Sequence, residues 1–231
     1  MPSDAIKLVC SMATRSMLEE LVSRYQPAAA RPVTTEAAGG VEVAARVRAG
    51  EGLDVVVLAS EAIDRLLAEG RLLAGSRVDL AQSGIAVAVR AGAATPDIST
   101  EAAVRSAVLA ARTVGYSTGP SGVHLQALFE RWGILQQIRA RIIVAAPGIP
   151  VGSLLTGGKA ELGFQQLSEL MGVPGVTVVG TLPPAIQART IFSGAIAARC
   201  SDPAAARALL DYLASPAGAP VKRRHGLDPL A

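Results

Sequence analysis

With 231 residues, half of them hydrophobic and 18% charged, the chain has enough apolar material for a sizeable core and too little charge for a disordered tail. A net charge of +3 with only one Trp, three Tyr and three Phe argues against a nucleic-acid partner, which would ask for a basic face with aromatic platforms. No apolar run approaches the roughly 18 to 20 residues of a membrane span, and Cys10, Cys200, His124 and His225 make no metal-ligand spacing, so neither a metal nor a cofactor is expected.

The elements follow from periodicity. Residues 6–10 predict a buried strand, 14–25 a helix with Met17, Leu18, Leu21 and Val22 on one face, and 33–36 a second strand, together one βαβ unit. Gly39-Gly40 opens a helix over 41–49, Gly50 and Gly52 close it, and 53–59 is a continuous apolar strand with Asp54 as a structural cap or pair at its start. A helix over 61–69 ends at Gly70. The stretch 78–90, with Ser83-Gly84 inside it, is too long for one ordinary strand and is expected to bridge two lobes as a hinge.

A second α/β set follows, with helices over 100–111, 123–132 and 151–156 and strands over 112–116, 139–144, 161–164 and 176–179. An extended run over 189–199 returns the chain to the first lobe, and a helix over 203–214 and the segment through Gly226 complete it. Lys222-Arg223-Arg224-His225 is expected at the end of a last helix, where cations suit the dipole. The fold class is α/β, with lobe one over 1–83, lobe two over 84–188, a return segment over 189–231, and a ligand cleft between the lobes.

The most informative stretch is 117–122. Ser117, Thr118, Ser121 and Gly122 fill the gap between a strand and a helix, where free N–H groups, the helix dipole and small hydroxyl donors favour an anion. The same residues could simply cap a helix and turn the chain. Met1 leads almost directly into the apolar segment 6–10 with no leader before it, so the cytoplasm is expected. A mature form that had lost a leader would instead be periplasmic, and a transporter partner would apply only to an exported protein.

The segments Ile6–Ala13, Ala49-Gly50 with 53–57, Pro120–Gly122, Leu162–Phe164 and Tyr212–Pro216 occur in the order seen in the molybdate-binding proteins of ABC transporters. Over almost its whole length the chain resembles that type II periplasmic-binding-protein-like superfamily. The resemblance implies a ligand held by loop serines, main-chain amides and a tyrosine. Here Ala13 stands at the first serine position with Ser11 nearby, Gly39-Gly40 at the second, and Gln165-Gln166 where the tyrosine would follow. Those departures shift the expected ligand from a metal oxyanion to a small carboxylate. Adjacent on a strand end, Gln165 and Gln166 should point to opposite sides, with Gln166 the one to reach a ligand.

Segments 75–78, 90–92, 161–170, 173–176 and 192–193 are similar to a branch of the superfamily that includes aconitate isomerase. Two functions follow from the resemblance: binding of a small organic anion, a di- or tricarboxylate, as a solute-binding-type protein; or intracellular isomerisation of aconitate type by allylic proton transfer. Molybdate or tungstate binding for an ABC transporter is a third. For the catalytic reading the candidate bases are His124, at a helix start, and Glu36, just before Gly39-Gly40.

Overall fold

The structure is a computed structural model that describes residues 5–26 and 31–230. The first four residues, on which the expectation about a leader rests, lie outside the described residues. The chain divides into two compact units, one of Met1–Gln82 with Ile191–Ala231 and one of Ser83–Thr190.

The first unit contains β1 (Ile6–Ser11), α1 (Arg15–Tyr25), β2 (Val33–Ala38), α2 (Gly40–Arg48), β3 (Val55–Ala59), α3 (Ser60–Ala68) and the opening of β4 (Val78–Arg90). β1 pairs in parallel with β2 and β3, with Ser11 opposite Ala38 and Cys10 opposite Val57. Within β1 and β3 the side chains alternate between two apolar layers. Leu8, Cys10, Val55 and Val57 pack with α1, while Val9, Val56 and Leu58 pack with Val43, Val47, Ile63 and Leu66 of α2 and α3. A sheet buried on both faces explains why β3 is continuously apolar rather than alternating.

The second unit contains the rest of β4, then α4 (Glu101–Ala110), β5 (Val114–Ser117), α5 (Pro120–Arg131), α6 (Leu135–Ile138), β6 (Ile142–Ala145), α7 (Val151–Thr156), β7 (Leu162–Gln166), α8 (Leu167–Leu170) and β8 (Val176–Thr181). β5 lies parallel to both β6 and β7, and β4 runs antiparallel to β7 and β8. Here too β4 alternates. Ile85, Val87 and Val89 join the layer of α4 and α5, whereas Ala86 and Ala88 face α7 and α8. The α7 face is built from small residues: a Cβ on Gly163 would stand 2.9 Å from Leu155 and 3.0 Å from Val151, so α7 approaches the strands too closely for a side chain there.

β9 (Arg189–Ile196) leads back to the first unit, where its later residues pair antiparallel with β3. α9 (Pro203–Ala214), α10 (Ala219–Arg224) and β10 (Asp228–Pro229) complete that unit, with Leu209, Leu210 and Leu213 packed in the α1 layer. The basic cluster does end the last helix. It is also tied to α1, because Glu20 accepts from Arg24, Arg224 and His225, and those bonds hold its carboxyl down at about 2.

Several boundaries differ from the sequence reading for physical reasons. The extended stretch 78–90 is one 13-residue strand, because its residues pair in turn with β10, β7 and β8. α5 begins at Pro120 rather than 123, since proline suits the first helical position, where no N–H is needed. Residues 139–141 form a 3-10 turn after α6 instead of opening a strand.

Candidate anion-binding loops

The strand registers decide which loops lie side by side within each unit. In the first unit β1, β2 and β3 run in parallel and end level, so Ser11 with Ala13, Gly39 with Gly40, and Ala59 with Ser60 occupy the same edge. In the second unit the pairs Ser117 with Ala145 and Tyr116 with Phe164 set the loops after β5, β6 and β7 at one edge. Ligands of open α/β sheets sit at such carboxyl ends. The Ala59-Ser60 and Pro150-Val151 junctions belong to these edges as well, although the sequence reading did not single them out.

Ser11 and Ala13 are buried at 8% exposure each, and the Thr14 hydroxyl donates to the Ser11 carbonyl at 3.1 Å. Gly39 is the N-cap of α2 and supplies no side-chain cap, leaving first-turn amides without a side-chain acceptor. A Cβ on Gly40 would meet only Leu58 at 3.8 Å, an ordinary contact, so packing does not require glycine there. The N-cap of α5, Gly119, is likewise uncapped by a side chain. Ser117 and Ser121 hydroxyls approach to 3.5 Å, Ser121 is buried and Thr118 is exposed. At Gly122 a Cβ would fall 1.7 Å from the Ser117 carbonyl oxygen, so this glycine lets the start of α5 press against the end of β5.

Gln165 and Gln166 close β7, two residues beyond the end of the predicted strand, and both are 2% exposed. They differ in how they are satisfied. Gln165 accepts from the Val151 N–H at 2.8 Å and donates to Glu169 at 2.7 Å, so both ends of its amide are engaged inside the unit. Gln166 donates to the Thr190 hydroxyl at 2.8 Å, and its buried Oε1 has no partner.

His124 Nε2 donates to the Ile186 carbonyl at 2.9 Å, which leaves Nδ1 of the neutral ring as the proton acceptor. Glu36 is exposed at the end of an edge strand, and Arg46 donates to both of its oxygens at 2.6 and 2.9 Å. Those bonds hold its carboxyl below the usual range, which makes it a weak base and gives it the character of a structural ion pair.

Sequence reasoning missed Glu169, in α8. Burial pushes its carboxyl up to about 7, against the lowering effect of the Gln165 hydrogen bond. The folded chain therefore binds this proton more tightly than the unfolded chain. Stability is least affected below the ordinary value of 4.5 and falls as pH rises towards 7, by roughly 3 kcal/mol at about 1.36 kcal/mol per pH unit. Glu169→Gln keeps an oxygen for the Gln165 donor and removes the charge, so its melting temperature at pH 8 should exceed the wild type by several degrees and match it near pH 4.5. Parallel pH profiles for the two proteins would refute the shift.

Among the described residues no helix is long and apolar enough to cross a membrane. The fold is that of type II periplasmic binding proteins. It matches the Azotobacter vinelandii periplasmic molybdate-binding protein with a TM-score of 0.80 at 21% identity, over 98% of this chain and 100% of that one. Peb3 from Campylobacter jejuni matches with a TM-score of 0.74 at 12% identity, over 96% and 99% of the two chains. In sequence the chain is 44% identical over 186 residues to an aconitate isomerase from a Pseudomonas species, covering 80% of this chain and 71% of that one. Residues 6–228 match the family described as bacterial extracellular solute-binding protein, and with that span, nearly the whole described chain, the protein belongs to this family.

Proposed function

We propose that the protein is an isomerase of aconitate type, which binds a small unsaturated tricarboxylate and shifts a proton and a double bond along it. The observation that carries this reading is the 44% identity to aconitate isomerase over 80% of the chain. Within the first unit the uncapped start of α2 with Ser11, and within the second the uncapped start of α5 with Ser117 and Ser121, supply main-chain and hydroxyl donors suited to carboxylates. The reaction needs one proton acceptor and one proton donor and no further reactant. A base takes a proton from the methylene carbon, the freed electron pair forms the new double bond, and the old π pair takes a proton at the far carbon. His124 Nδ1 is the acceptor assigned here.

Incubating the purified protein with trans-aconitate and following the cis isomer tests the proposal. Conversion well above the uncatalysed rate is expected, and its absence removes this activity.

A second reading, a non-catalytic binder of a di- or tricarboxylate, is favoured by the solute-binding family match over 6–228. On that reading carboxylates raise the melting temperature with concentration and aconitate is left unchanged. Stabilisation by molybdate or tungstate with none from carboxylates would overturn the ligand class in both readings.

A further inference from the structure

The place where the chain enters and leaves the second unit carries an unusual polar cluster. Gln166, backbone-paired with Ile85, donates to Thr190, the last residue of that unit, at 2.8 Å. Two residues on, the Ser168 N–H lies 3.5 Å from the hydroxyl of Ser83, the first residue of the unit. Within this cluster two buried side-chain atoms, Gln166 Oε1 and Ser168 Oγ, have no hydrogen-bond partner. Buried polar atoms are nearly always paired, and leaving them unpaired is costly. The neighbouring Gln165, equally buried, shows the ordinary outcome, with both ends of its amide engaged.

An amide oxygen can only accept. A fully ionised oxyanion brings lone pairs and no proton, so it cannot satisfy that atom. We propose that Gln166 Oε1 and Ser168 Oγ form a subsite that takes an O–H group of the bound organic acid, a hydroxyl or a protonated carboxyl. The inference rests on the carboxylate reading of the site and narrows it: the ligand presents a donor at one end while main-chain amides hold its charged end. A hydroxyl is satisfied only by a hydroxy-acid. A protonated carboxyl is open to any di- or tricarboxylic acid and requires proton uptake when the ligand is fully ionised in solution.

Isothermal titration of the full chain with citrate and with tricarballylate separates these sources, since the two share a carbon skeleton and differ by one hydroxyl. Runs at pH 6 and 7.5 in two buffers of different ionisation enthalpy report proton uptake. A preference of about tenfold for citrate identifies the hydroxyl. Proton uptake that persists in Glu169→Gln, whose own carboxyl would otherwise titrate in this range, with binding of both acids tightening at the lower pH, identifies the protonated carboxyl. In either case Gln166→Met should abolish the effect, and Ser168→Ala should weaken it, with thermal unfolding confirming that each variant folds.

Equal affinities without proton uptake, or an effect that survives in both variants, would overturn the subsite and leave carboxylate binding intact. Tighter binding of tricarballylate than citrate, again without proton uptake, would show that the amide nitrogen faces the ligand and would overturn it as well. Failure of both acids to bind would instead remove the carboxylate reading, and the subsite with it.

Discussion

Gly122→Ala is expected to destabilise the protein by about 3–5 kcal/mol or to prevent the second unit from folding, the largest loss expected from any single methyl group added to the candidate loops. The added Cβ would fall 1.7 Å from the Ser117 carbonyl oxygen and 3.1 Å from the Tyr116 ring. A backbone atom cannot rotate away as a side chain can, so either the first turn of α5 or the end of β5 must move. Both belong to the candidate anion edge, and ligand binding should be lost with the fold. Gly40→Ala is the control, because its Cβ would meet only the Leu58 side chain at 3.8 Å and should leave stability within about 1 kcal/mol. Urea unfolding of the two variants gives the comparison, and a Gly122→Ala protein as stable as the wild type would contradict the close approach described above.

His124→Ala should lower isomerisation of aconitate by roughly 10²- to 10⁴-fold, the usual contribution of a positioned general base. The ring is oriented by its bond to the Ile186 carbonyl, so the loss should fall mainly on the rate constant and less on substrate binding. His124→Gln can keep an N–H for that carbonyl and still lacks a base, which separates orientation from proton transfer. It should be as inactive as the alanine variant while retaining wild-type stability. Activity within a few-fold of wild type in both variants would assign the proton acceptor elsewhere. Glu169 is then the next group to replace, because its carboxyl titrates near 7.

Regular elements with local punctuation were the most legible. The helix over 151–156 has the predicted bounds, as does the one over 203–214, whose start is marked by Asp202 as an N-cap accepting from Ala205 and by Pro203 at the first position. Where the deciding partner is remote, sequence reasoning stopped short. β7 runs to Gln166 with Gln165 engaged by Val151 and Glu169 and the Gln166 amide nitrogen by Thr190, partners that no period-2 pattern can reveal. The loop over 117–122 was visible from composition as a strand-to-helix connection, since glycine and hydroxyl residues in such a place turn the chain or cap a helix as readily as they hold an anion. The structural reason for Gly122 was not, because its neighbour is a carbonyl five residues earlier that comes close only when α5 starts at Pro120. Glu169 gave no signal at all. Its carboxyl is perturbed by burial, and nothing in Leu167–Leu170 foretells that this short helix packs against α7 and β7 with the Glu169 carboxyl turned towards Gln165.

The first unit is discontinuous in sequence, while the second is one uninterrupted segment from Ser83 to Thr190. That difference imposes an order on synthesis. The second unit can complete its parallel pairs and both apolar layers as soon as β9 begins to emerge from the ribosome, whereas β3 must wait for Ile196 to Phe192 to arrive as its antiparallel neighbour. The layer under α1 waits longer still, because Leu209, Leu210 and Leu213 come only with α9. A nascent chain ending before Pro203 would therefore carry a folded second unit and a first unit with Met17, Leu18 and Leu21 uncovered, a surface for which a chaperone has a use.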